Sequence, residues 1–176
     1  LLRHEFGVGF TELGIAITVF SVVTGLTQAP VGFLVDRFGA RKILLCGLLL
    51  ESAAFIWIGL APSYWMLLAM MGVAGLANAV YHPANYSILN SSIQNIRMGR
   101  AFSIHTAAGM LGNAVAPITI VLLLSVTSWQ TALIICGIMG GIISLLIGAN
   151  ADAFRETLPQ AHDRQKTTTR SGLRLL

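Results

Sequence analysis

Charge is scarce in this sequence. Asp, Glu, Lys and Arg make up 10% of its 176 residues against 55% hydrophobic residues, and mean hydropathy is +0.77. A soluble domain of this size needs a polar surface to stay in water. A large soluble α/β core would also need charged amphipathic helices between its apolar runs, and that patterning is missing. The runs lack the two-residue alternation of membrane β-strands and are too long for them. Cysteine is nearly absent as well: Cys46 and Cys136 each lie inside an apolar run, at different depths of the expected topology, so no disulfide is expected. His4, His82, His105 and His162 are scattered, without His-x-x-x-His or similar ligand spacing, and no nucleophile and base pair is recognisable. An enzyme, a bound metal and a cofactor are therefore not expected.

What is present is a set of long apolar runs. A helix crosses a bilayer with about 20 mostly apolar residues, and five runs qualify, at 13–35, 43–61, 64–89, 101–126 and 129–149. The expectation is an all-α membrane protein with five spans, in which short connections make successive helices antiparallel neighbours. Arg37, Arg41 and Lys42 fall in the first connection, Arg97 and Arg100 in the third, and Arg155, Arg164, Lys166, Arg170 and Arg174 after the last span. Only Arg3 of the eleven basic residues falls on the other side, and the positive-inside rule makes the basic side cytoplasmic. The net charge of +4 then reads as a topology signal, with the lipid bilayer and not nucleic acid as the partner.

The chain opens Leu1-Leu2-Arg3 without Met and shows no signal-peptide pattern. Five spans starting outside suit a six-helix unit without its first helix. Residues 1–10 are then an external loop, Thr11 caps the next helix with Glu12 in its first turn, and residues 151–176 begin a polar cytoplasmic linker.

The charge that exists is concentrated in Gly32-Phe33-Leu34-Val35-Asp36-Arg37-Phe38-Gly39-Ala40-Arg41-Lys42, on the turn after the first run. This stretch closely resembles the signature loop of the major facilitator superfamily: Gly, any, Leu, any, Asp, Arg, any, Gly, then basic residues. The resemblance covers essentially the whole chain. It implies helices two to six of the amino-terminal half-bundle of a secondary transporter, whose first helix and carboxy-terminal half would be its partners, together with a small-molecule substrate. It also implies a cytoplasmic gate built from Gly32, Asp36, Arg37, Gly39, Arg41 and Lys42. Gly32 would let two helices approach, Gly39 would permit the turn, and Asp36 would face a helix end and Arg of the other half. Ala40 stands where the family often has a basic residue. The repeated pattern in Gly25-Leu26-Thr27-Gln28-Ala29-Pro30 and Gly112-Asn113-Ala114-Val115-Ala116-Pro117 agrees with inverted repeats relating two of the helices.

Polar side chains inside a bilayer are costly and hence informative. Gly75, Asn78, His82 and Asn85 share one helical face, with Pro83 weakening the backbone beside them. Asn78, His82 and Asn85 are expected to line a cavity, along with Gln28 and Asn113. Thr18, Ser21, Gly25 and Gly32 read as a packing seam, as do Gly109, Gly112 and Ala116. Glu51 lies midway along the second run with no Lys or Arg in any run to pair with it, which makes it a proton-coupling candidate beside His82 and His105. The family's arginine before a Gly-x-Gly-like step is Met71 here, and its antiporter Gly-Pro is Ala116-Pro117. Tyr81-His82-Pro83-Ala84 is similar to the aromatic-His-Pro of the fosmidomycin-resistance branch, so drug efflux stands beside solute transport. A non-transporting membrane sensor on the same fold is a third reading.

Overall fold

The computed structural model describes residues 2–150; the linker expected over 151–176 lies outside them. A short helix α1 (Leu2–Phe6) precedes α2 (Phe10–Phe38), α3 (Ala40–Gly59), α4 (Tyr64–Asn78) and α5 (Tyr81–Ser92). A 3₁₀ turn (Asn95–Arg97) leads into α6 (Met98–Val126), and α7 (Trp129–Ala149) follows. By length and composition, α2, α3, the α4–α5 pair, α6 with its leading turn, and α7 can each cross a membrane. The expected spans are thus present, with two differences in outline. Residues 1–10 hold α1, so they are not simply a loop, and the 64–89 run is interrupted at Ala79–Val80.

Local chemistry explains the start of α2 and the interruption between α4 and α5. The cap of α2 is Gly9, not Thr11: the helix begins at Phe10, and Glu12 folds back so that its Oε2 accepts from the Gly9 N–H at 2.9 Å. This places a carboxylate at the positive end of the helix dipole. The interruption between α4 and α5 follows from Pro83, which has no N–H to offer the Ala79 carbonyl four residues back. Val80 N–H turns to the Ala77 carbonyl instead, at 3.2 Å.

The two most extensive helix pairings are not between successive helices. α3 packs chiefly on α7 and on α4, and α2 packs on α4, whereas α6 meets α5 and α7 only lightly. Short loops impose antiparallel order, but side-chain size decides which helices touch. At the α3–α7 seam a Cβ on Gly137 would lie 2.6 Å from the Ser52 carbonyl oxygen, and one on Gly59 would lie 2.7 Å from the Gln130 carbonyl oxygen. Only glycine allows backbones so close. Val31 and Val35 of α2, Ala40 of α3, and Ala79, Val80 and Ala84 at the interruption form one buried apolar cluster, flanked by Ile43, Leu44 and Ile88.

Both ends of the bundle are tied by polar or aromatic contacts. At the end carrying the basic turn, Arg41 Nη2 donates to the Gly148 carbonyl at 2.9 Å, joining the start of α3 to the end of α7. A cation there also suits the negative end of the α7 dipole. At the opposite end Tyr64 O–H donates to the Glu12 carbonyl at 2.8 Å, and the Phe6 and Trp129 rings meet edge to face with centroids 5.7 Å apart.

Candidate functional site

The basic turn is built as its glycine requires. Gly39 alone separates α2 from α3, at φ 92° and ψ 135°, a conformation that disfavours any residue with a Cβ, and its N–H bonds the Val35 carbonyl at 2.9 Å. Ala40, next to it, is buried. Gly32 behaves differently from expectation: a Cβ there would meet nothing within 4 Å, so no described helix approaches it. Asp36, one turn further along the same stripe, is exposed, and no hydrogen bond or ion pair to it is found among the described residues. Among the described residues the other charges of the turn have contacts elsewhere or none to it. Arg41 reaches α7, Arg37 lies over the Phe38 ring at 5.4 Å, and Lys42 is exposed.

The four residues expected on one face of the 64–89 run are separated by packing and by the interruption. Gly75 is buried, and the Thr24 hydroxyl of α2 donates to its carbonyl at 2.9 Å, so it serves helix contact and no cavity. Asn78, the last residue of α4, is within hydrogen-bonding reach of Glu51 on α3. His82 is exposed, with its ring centroid 5.8 Å from that of Tyr86. Asn85 is half-buried on the same helix.

Glu51 has neutral polar partners. Tyr81 O–H donates to its Oε2, from the first residue of α5. The carboxylate is thereby bonded from the start of α5, with Asn78 within reach at the end of α4 on the other side of the interruption. Sequence reasoning had treated Glu51 in terms of missing cations; tyrosine and asparagine three residues apart were the available signal.

Tyr86 is the second residue that sequence reasoning missed. Its ring lies 5.2 Å from Phe102 and 6.2 Å from His105 by centroids, both on α6. His82 and His105 thus flank one phenol, giving ring nitrogens and a hydroxyl in one region between α5 and α6. Such a group can donate to and accept from a polar solute. Gln28 is half-buried and Asn113 is exposed, and neither bonds another helix among the described residues. Thr18, Ser21 and Thr27 return their hydroxyls to carbonyls four residues back, which satisfies them within α2, whereas Thr24 shares its hydroxyl between the Phe20 and Gly75 carbonyls. The expected seam along α2 is therefore unoccupied among the described residues: Gly25 and Gly32 have nothing within 4 Å of a built Cβ, and neither do Gly109 and Gly112 on α6.

Apolar spans with polar side chains gathered in their interior define a multi-pass α-helical membrane protein with a polar region between helices. The sequence model of the Major Facilitator Superfamily matches residues 1–174, and the chain belongs to that family. Among curated relatives, it is 29% identical over 147 residues to a probable L-galactonate transporter of Escherichia coli K12, covering 84% of this chain and 32% of that protein. A D-galactonate transporter of Escherichia coli O6:H1 is 25% identical over 145 residues, covering 82% and 34%. The fosmidomycin resistance protein of Escherichia coli K12 is 25% identical over 118 residues, covering 67% and 29%. The chain spans about a third of the length of these relatives.

Proposed function

We propose that this chain is one lobe of a secondary transporter that moves a small organic anion across a bacterial inner membrane by alternating access. The family match over residues 1–174 carries the reading. Galactonate and sulfoacetate, which appear in the names of relatives, are small organic anions, and donors at His82, Asn85 and His105 suit a carboxylate. The basic end is cytoplasmic on this reading, because the Lys and Arg residues gather there. The bare stripe of α2 and the bare face of α6 are where the first helix and the carboxy-terminal half dock, with Gln28 and Asn113 turned toward the shared cavity. Asp36 then meets its partner across the two halves, and Gly32 allows that approach. His82, His105 and Glu51 are the groups through which a proton could be coupled.

The test is uptake of labelled galactonate and sulfoacetate by cells lacking or overproducing the complete transporter. Uptake that depends on the protein, falls at least tenfold in His82→Ala and requires a pH gradient supports the reading. Absence of uptake for both anions refutes the substrate class. Efflux is the second reading, favoured by Tyr81-His82-Pro83 and by the fosmidomycin resistance relative. It predicts lowered fosmidomycin susceptibility in the overproducing cells instead.

A further inference from the structure

The interrupted α4–α5 span has two kinds of attachment to α3, and the polar one has no role in the reading above beyond a general capacity to hold a proton. On the apolar side Val80 packs against Gly47, where a built Cβ would lie 2.9 Å from the Val80 Cβ, and Ala79, Val80 and Ala84 are buried with Val31, Val35 and Ala40. On the polar side Glu51 is bonded by Tyr81 and lies within reach of Asn78. The two attachments bracket the only two residues, Ala79 and Val80, that are not helical between Tyr64 and Ser92.

We propose that Glu51, Asn78 and Tyr81 form a clasp that fixes the angle between α4 and α5 and so positions His82, making Tyr81 and Asn78 positioning residues.

Pro83 lies just past the interruption, in the first turn of α5. Its missing N–H leaves the Ala79 carbonyl without the usual partner, so the backbone itself holds the two helical segments together less firmly than a continuous helix would. Something outside the backbone must then set their relative direction. A carboxylate on α3 can do this if both segments bring donors to it: the Tyr81 hydroxyl bonds it from α5, and Asn78 lies within reach at the end of α4. In an apolar surrounding these hydrogen bonds are stronger than in water, and leaving the carboxylate without them is correspondingly costly. His82 follows Tyr81 directly and meets the Tyr86 ring one turn further along the same helix, so its place is inherited from the residue before it. A neutral clasp of this kind, unlike an ion pair, can adapt to either protonation state of Glu51, because an asparagine side chain both donates and accepts.

The transport arm of the test rests on reading His82 as solute-facing; the labelling arm does not. In the complete transporter freed of cysteine (Cys46→Ser and Cys136→Ser here), His82→Cys is labelled with N-ethylmaleimide in membranes. Adding Tyr81→Phe, which removes one hydroxyl, is expected to raise the labelling rate at least threefold. Glu51→Leu should do the same, and the two together should do no more than either alone. Glu51→Gln retains an acceptor for Tyr81 and should stay within twofold of the parent. In the His82 protein, Tyr81→Phe should raise the KM for the transported anion at least fivefold with little change in maximal rate. Parental labelling in Tyr81→Phe at parental membrane level, or multiplying effects of Tyr81→Phe and Glu51→Leu, overturns the clasp. Should Tyr81→Phe not accumulate, Asn78→Ala takes its place with the same threefold criterion. If neither anion is transported, the organic-anion reading has failed while the labelling rates still decide the clasp.

Discussion

The α3–α7 side of the molecule and the α2 and α6 faces use the same small residues and present opposite surroundings. At Gly59 and Gly137 a Cβ would collide with the backbone of a neighbouring helix, at 2.7 and 2.6 Å. At Gly25, Gly32, Gly109 and Gly112 it would meet nothing within 4 Å. Along α6 every residue from Thr106 to Ile118 is exposed, including Met110, Leu111, Val115 and Ile118. Glycine in a helix interior costs about 0.5–1 kcal/mol relative to alanine. On the packed side close backbone contact offsets that cost within this chain. On the bare faces nothing among the described residues does, so whatever offsets it there comes from elsewhere.

The largest expected effect tests that contrast directly. Gly137→Val forces the α3–α7 seam apart and should destabilise the fold by more than about 3 kcal/mol, the upper end of overpacking and steric effects. Denaturation of the chain in detergent, followed by Trp fluorescence, would measure it. Gly112→Val on α6 should change the same measurement by less than about 1 kcal/mol. Equal losses at the two positions would mean that the bare face is covered in the isolated chain and would erase the distinction.

Next in size is Gly39→Ala. At φ 92° an alanine occupies a region reserved largely for glycine, at a cost of about 1–3 kcal/mol in the same measurement. Since this residue alone joins α2 to α3, the change should also disturb the α3 start, where Arg41 is anchored. Arg41→Met should cost about 1.5 kcal/mol by removing a charged donor from the Gly148 carbonyl while keeping much of the side-chain volume. In both variants the α3–α7 seam is the region expected to exchange amide hydrogens faster.

The number of spans, their order and the special turn at Gly39 were legible in the sequence because each follows from a local rule: apolar length, loop length and a conformation that only glycine tolerates. The neighbours were not. Gly75 and Gly25 look alike on a helical wheel, yet one is buried with its carbonyl bonded by Thr24 and the other faces open space. Spacing gives the face a residue shares but not what stands opposite it. The 64–89 run shows the same limit. Pro83 announced weakness, but the interruption placed Asn78 toward Glu51 and His82 toward Tyr86, breaking up a face that an ideal helix would have kept whole. Likewise, Glu51 could be recognised as costly, whereas its polar neighbours lay 27 and 30 positions away on two other helices.

The smallest effect on stability is expected at Asp36, and it sharpens the contrast most. The carboxylate is exposed and has no hydrogen bond or ion pair among the described residues, so Asp36→Asn should shift unfolding of the chain by less than about 0.5 kcal/mol. Arg41, five residues on in the same signature stretch, should matter to that measurement because its partner, Gly148, lies within the lobe. In the complete transporter the ranking should invert. If the bare stripe of α2 meets the other half, Asp36→Asn loses a charged contact made only there, and transport should fall at least tenfold while protein level holds. Arg41→Met should then lower protein level more than transport per molecule. A single charged turn would thus serve two separate purposes, with one residue holding the lobe together and the other holding it to something else.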